Sequence, residues 1–357
     1  MVNRRSFLKS AGTIGTAGLI AGCLGGDGGD GDGDDSGDGG EATMTETMTE
    51  TMTETMTETE SGPAVTFGGD REVNFSLSPS VPQENLYLQY GPIRDYLESY
   101  LVDNHDVPEG VHARMNVGSN YSAVIQALGS GTADIAETGP FAAALGVKTD
   151  NVDVILQRKG FGSWTYVSQI AIPKDSDVTS LSDLSGKTVA FSDRLSTSGA
   201  LYPLYNLSQA GVDIGQLPEG NGSQASIEPV FAGGHVKSYT LLKKGRVDAA
   251  GMGGFVPGIV DNFEANAKVL DKQEGLPRAP IVVSPEIPDE SRDALTKAFL
   301  DAPDEIYLGA DGEEDTDENK PDDDLWFSAV REASVDDYQS VIDVANELGV
   351  GQEIFES

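Results

Sequence analysis

The chain of 357 residues holds one cysteine, three histidines and only 23 Lys and Arg against 59 Asp and Glu. Each shortage closes off a class of protein. A single cysteine, Cys23, excludes disulfides within the chain. His105, His112 and His235 form no Cys/His cluster at metal-ligand spacing, so neither a resident metal nor another cofactor is expected. A net charge of −36 argues against nucleic acid as a partner. No apolar run reaches the roughly 20 residues needed to cross a bilayer. No Gly-x-Ser-x-Gly elbow surrounds Ser196 or Ser198, and only one histidine stands in that half of the chain, which counts against a serine-based enzyme.

What is present starts at the front. Arg4 and Arg5, then Phe7-Leu8-Lys9 and a short run of small and apolar residues from Ala11 to Ala21, read as a twin-arginine export signal over residues 1–22. Ile20-Ala21-Gly22-Cys23 resembles a lipobox, so Cys23 is the expected lipid attachment site, tethering the protein to the outer face of the membrane. Residues 23–63 hold Gly/Asp repeats and then Thr-Met-Thr-Glu four times over, from Thr43 to Glu58. Nothing there can bury a core, so it reads as a solvated stalk with threonines available for glycosylation. Removing residues 1–22, with three positive charges and no negative ones, takes the net charge from −36 to −39. Such an excess, together with the export signal, fits a halophilic archaeon. At about 1 M salt the Debye length is only about 3 Å, so overall charge does not veto an anionic ligand held by local, desolvated donors.

The remainder, from Ala64, is long enough for two lobes. Val73 to Leu77 alternates as a strand should. Pro79, Pro82 and Gln83 then open a helix with Leu86, Tyr90, Ile93, Leu97 and Leu101 on one face. A second β-then-α unit follows, Arg114 to Val117 and a helix through Tyr121, Val124, Ile125 and Leu128. Gly139-Pro140-Phe141 reads as a turn into another helix, and Tyr166 to Ile172 as a strand. Ala127 to Ala136 aligns without gaps on Leu241 to Ala250, each reading as helix end, glycine cap and a short strand entered through Asp. Two lobes of similar construction would produce that echo, as would coincidence. The return runs through Ala279 to Val283, a helix from Asp289 to Leu300, an acidic loop from Asp311 to Asp324, and a last helix with Tyr338, Val341, Ile342, Ala345 and Leu348 on one face, closed by Gly349.

One stretch organises the rest. Ser196-Thr197-Ser198-Gly199 sits between a strand-like run, Lys187 to Phe191, and a segment that reads as helix from Ala200 to Ala210. Hydroxyls and unpaired N–H groups at the positive end of a helix dipole suit a small oxyanion. Ser and Thr are also ordinary N-cap residues, and this second reading stays open on pattern alone. Tyr121, in the first turn of its helix, and His235, after Ala232-Gly233-Gly234, are open in the same way between packing and ligand contact.

Taken in order, these pieces resemble the phosphonate/phosphite-binding proteins of ABC importers over roughly residues 72 to 300. The resemblance rests on Asn120 to Leu128 with Ala133 to Ala136, Gly139-Pro140, Ile172 to Ser176 with Leu181 to Lys187, Ser196 to Gly199, and Ala232 to His235. It implies an α/β, two-lobed periplasmic binding protein fold of type II, each lobe a mixed sheet flanked by helices, with residues 64–170 and 276–357 forming one lobe and 171–275 the other. It implies a ligand site made of Tyr121, Tyr166, Ser196, Thr197, Ser198 and His235. It also implies no catalysis, a monomer, and a membrane permease with its cytoplasmic ATPase as partners. Family members that bind aminoalkylphosphonates carry carboxylates where Phe255 and Ala279 stand here. An apolar pair cannot compensate a buried ammonium, so the expected ligand is phosphite, phosphate or a short phosphonate. Val236 follows His235 where an acidic residue is usual. Sulfonate or thiamine-precursor binding on the same fold, and a surface sensor carried on the stalk, are the alternatives.

Overall fold

In a computed structural model of the chain, the described residues are 64–68, 71–80, 83–309, 311–313 and 324–356. The export signal, Cys23, the stalk, Pro82 and most of the acidic loop lie outside them. The strands are β1 (Glu72–Leu77), β2 (His112–Val117), β3 (Ile135–Glu137), β4 (Asp153–Gly160), β5 (Thr165–Pro173), β6 (Thr188–Phe191), β7 (Glu228–Phe231), β8 (Ala249–Gly253), β9 (Ala267–Pro277), β10 (Pro280–Val283) and β11 (Phe327–Glu332). The helices are α1 (Gln83–Asn104), α2 (Tyr121–Gly129), α3 (Pro140–Lys148), α4 (Tyr202–Gln209), α5 (His235–Lys243), α6 (Val256–Ile259), α7 (Phe263–Asn266), α8 (Asp289–Leu300) and α9 (Gln339–Glu347).

The strands form two mixed sheets, ordered β11-β4-β10-β3-β1-β2 and β7-β6-β8-β5-β9. In each, two parallel neighbours flank a central strand, and a strand from after a crossing joins antiparallel on the far side: β10 against β3, β5 against β8. The crossing strands β5 and β9 pair with each other from Thr165–Pro277 to Pro173–Ala267, so both belong to the second sheet along their whole length, β5 beginning before 170/171 and β9 running past 275/276.

The internal echo is a structural repeat. Asp134 donates its N–H to the Asn74 carbonyl and takes the Asn74 N–H on Oδ2 at 2.7 Å. Asp248 does the same with Thr188, its N–H to the carbonyl and Oδ2 accepting the Thr188 N–H at 2.9 Å. Each Asp thus clips the strand it leads into (β3, β8) to the central strand (β1, β6), after a glycine (Gly131, Gly245) whose φ near +65° lets the helix reverse.

The cores follow the amphipathic spacing. Leu86, Tyr90, Ile93, Leu97 and Leu101 are all buried against the first sheet with α8, each contributing about 1.5–3 kcal/mol of transfer free energy. A second cluster joins α2, α3 and α9 to Leu195, Leu201 and Tyr202 of the other lobe. Two more cover the faces of the second sheet. The C-terminal segment is sewn to both lobes: the Phe355 carbonyl accepts from Ser122 Oγ and Gln126 Nε2, while Tyr202 Oη donates to the Ser340 carbonyl and the Gly351 N–H to Glu219 Oε1.

Candidate functional site

The hydroxyl stretch opens not an ordinary α-helix but a wide π-helical turn, Thr197–Leu201, that runs on into α4. Ser196 caps it, its Oγ accepting the Gly199 N–H at 3.1 Å, while the Ala200 and Leu201 N–H groups converge on the Ser196 carbonyl. Ser196 therefore caps the turn and also lines a cavity. Gly199 is set by close approach, because a Cβ there would lie 2.1 Å from Ser192 Oγ and 2.9 Å from His235 Cε1. The turn can press against those two side chains only without a side chain of its own.

Between the lobes lies a cavity of about 160 Å³. All six residues implied by the resemblance line it: Tyr121, Tyr166, Ser196, Thr197, Ser198 and His235. The three hydroxyl residues are at most 3% exposed. Thr197 Oγ1 accepts the Phe141 N–H at 2.8 Å across the cleft, so it caps α3 of the other lobe. Tyr121 lies over Gly139, whose added Cβ would meet its ring at 3.1 Å. Tyr166 bonds through its hydroxyl with Ser198 and Thr197, and burial raises its pKa.

His235 begins α5 after Gly234. Its Nδ1 accepts the Gly253 N–H at 3.0 Å, with Ser192 Oγ at 3.1 Å from the same atom. A backbone N–H can only donate, so Nδ1 is the acceptor and Nε2 carries the hydrogen, 3.4 Å from Ser196 Oγ. The backbone of β8 thus supplies the orientation that an acidic neighbour would give, with Val236 in that place here. Desolvation pulls the ring's pKa down to about 4, which keeps it neutral near pH 7. Phe255 meets the imidazole edge-on, with ring centroids 5.1 Å apart, and with Ala279 forms apolar wall.

The first lobe adds charges that the sequence reading passed over. Glu137 and Arg158 form a buried ion pair at 2.8 Å. Arg158 spends its remaining donors on Tyr90 Oη and on the Thr138 and Ala279 carbonyls, while Glu137 Oε1 takes the Ser78 N–H. Arg278, Trp326, Phe161, Gln89 and Asp324 complete this side. Neither Glu137 nor Arg158 sits in a motif, and 21 residues separate them; the one signal was a charged pair, Arg158-Lys159, ending an apolar run. Among the described residues no group of His, Cys, Asp and Glu could hold a metal ion.

Two lobes around one buried, donor-rich cleft define a periplasmic binding protein of type II. Solved structures agree on the fold: a binding protein component of an ABC phosphonate transporter from Pseudomonas aeruginosa (TM-score 0.61, 19% identity, 79% of this chain and 87% of that one) and PhnD1 from Prochlorococcus marinus in complex with methylphosphonate (TM-score 0.61, 18% identity, 79% and 99%). The family model for the phosphonate periplasmic substrate-binding proteins of ABC transporters matches residues 75–338. The chain belongs to that family, whose members are substrate-binding transport proteins rather than enzymes. A curated relative, the phosphate-import protein PhnD of Mycolicibacterium smegmatis, is 31% identical over 182 residues, 48% of this chain and 52% of that protein. The chain thus spans about half the length of that relative.

Proposed function

We propose that this protein binds a small phosphorus oxyanion without an amine (phosphite, phosphate or a short phosphonate) between its lobes and delivers it to a membrane permease driven by a cytoplasmic ATPase. The observation that carries the reading is the cavity wall on which Ser196, Thr197, Ser198 and the Nε2–H of His235 meet at the start of a π-helical turn. Neutral donors fixed in a buried site hold an oxyanion without importing a counter-charge. Glu137 is committed to Arg158 and Ser78, and Phe255 and Ala279 are apolar, so these positions offer an ammonium little compensation, and Asp324 is the further carboxylate on the lining. The ligands named for two relatives, methylphosphonate and phosphate, support the class. Export through Arg4 and Arg5, lipid on Cys23, a monomeric state and a halophilic source belong to the same reading, as do lobe limits near 64–170 with 276–357 and 171–275.

The test is calorimetric titration of the full chain in high salt with phosphite, phosphate, methylphosphonate, 2-aminoethylphosphonate and sulfate. Tight binding of an amine-free phosphorus ligand is expected, abolished by replacing Ser196 and Thr197 together with alanine in a variant that keeps its circular dichroism. Preference for 2-aminoethylphosphonate would overturn the specificity, and unchanged affinity in the double variant would overturn the site.

A further inference from the structure

One buried cation in the cavity has no assigned task. Arg278, between β9 and β10, is 7% exposed and lines the cavity. Its Nε is buried without a hydrogen-bond partner, and no ion pair involves it among the described residues. Arg158 in the same cavity is the contrast, with every branch of its guanidinium spent on Glu137, Tyr90 and two carbonyls. Burial draws the Arg278 pKa down to about 10, so the group is still a cation near pH 7. A buried charge without a partner is costly to a folded chain, and a partner supplied by a ligand relieves that cost.

The position is built. Arg278 Cζ lies 5.3 Å from the ring centroids of Phe161 and Tyr166 and 5.9 Å from that of Trp326. Gly160 makes the room: a Cβ there would stand 2.5 Å from Trp326 Cζ3 and 3.2 Å from Arg278 Cζ. Three aromatic rings and one glycine thus hold the guanidinium at the cavity wall with its fork unspent. Tyr166 joins this pole to the other, since its ring packs on Arg278 while its hydroxyl bonds with Thr197 and Ser198. The cavity between, about 160 Å³, has room for on the order of ten waters, well beyond a single tetrahedral head group.

We infer that Arg278 receives a second anionic group of the ligand, a carboxylate at the far end of a short organophosphonate whose phosphonate lies against the hydroxyl wall. The inference rests on the reading of the hydroxyl wall given above. A planar carboxylate matches the guanidinium fork with two parallel N–H···O bonds, and the pole repels the ammonium of an aminophosphonate.

The experiment compares 3-phosphonopropanoate with propylphosphonate, which has the same chain length and no charge at the far end, by calorimetry on the full chain and on Arg278→Gln and Arg278→Lys, with circular dichroism on each. The unsubstituted protein is expected to favour 3-phosphonopropanoate by about 10- to 100-fold. Arg278→Gln should bring the ratio of the two affinities close to one, and Arg278→Lys should keep part of it. Equal affinity for the two ligands in the unsubstituted protein overturns the inference and leaves the phosphonate reading standing. A ratio that survives in Arg278→Gln overturns the role of this side chain. Binding of neither ligand overturns the inference, and the titration with phosphite, phosphate and methylphosphonate then decides the reading by itself. Should Arg278→Gln not fold, the ratio in the unsubstituted protein and in Arg278→Lys decides.

Discussion

Acid should weaken this fold through His235 in a window set by the ring's surroundings. The imidazole pKa is 6.5 when free and about 4 in the folded chain, because burial disfavours the charged form. Above pH 6.5 both states are neutral there and nothing is gained or lost. Between pH 6.5 and 4 the unfolded chain takes up a proton that the folded chain refuses, so stability falls as pH falls; below about 4 the loss levels off. At about 1.4 kcal/mol per pH unit the window amounts to at most about 3.5 kcal/mol, an upper bound since the ring is only half-buried. Asp134 and Asp193 work with the opposite sign: burial raises their pKa values, so the folded chain holds their protons more tightly and gains stability as pH drops through those values. Total stability against pH therefore mixes the two, and only a difference isolates the histidine. The assay is urea unfolding of the full chain and of His235→Gln in high salt at pH 7.5, 5.5 and 4.5. The gap between the two proteins should narrow toward acid by up to about 2.5 kcal/mol at pH 4.5. Parallel loss in both proteins would refute the reasoning.

Two other perturbations test the packing that shapes the site. Gly199→Ala forces a methyl into Ser192 and His235, and overpacking of this kind costs about 1–3 kcal/mol; a lowered melting temperature and weaker methylphosphonate binding should appear together, and a variant with both unchanged would mean that the π-helical turn has slack. Asp134→Ala should cost about 1–3 kcal/mol, since it strips buried acceptors from the Gly68 and Asn74 N–H groups, whereas Asp248→Ala, at an exposed position with one such bond, should cost about 0.5–1 kcal/mol by denaturant titration.

How much of this was legible differs by element. Apolar spacing placed the α1 face residue for residue, and α8 spans Asp289–Leu300 as read, because both bury one stripe against a sheet and declare it in a period near 3.6. Three strands went unread. β4 carries Gln157, Arg158 and Lys159 in its second half, and only the pairing of Arg158 with Glu137 makes such a strand buriable. β9 carries Lys268, Asp271, Lys272 and Glu274 as an edge strand of the second sheet, and β11 is an edge strand of the first. At the site, the hydroxyl stretch, Tyr121 and His235 came from ordered motifs and Tyr166 from the resemblance alone, and the structure brings all six to one cavity. The charges on the first lobe did not, because a lone arginine carries no spacing signature. Arg278 becomes informative only once Gly160, Phe161, Tyr166 and Trp326 are seen around it. The turn's π geometry was equally out of reach of pattern, which sees a cap where the chain needed a wider loop.

The strand order also sets a timetable for synthesis. The second sheet is drawn from one unbroken stretch, Thr165 to Pro277, and has all its strands once that stretch has been made. The first sheet waits: β10 must slide in between β3 and β4, more than a hundred residues after β4 left the ribosome, and β11 comes later still. Until then β3 and β4 present unpaired edges, the condition under which nascent chains stick to one another or recruit chaperones. Closing so long a loop is slow, so the first lobe is completed only near the end of translation.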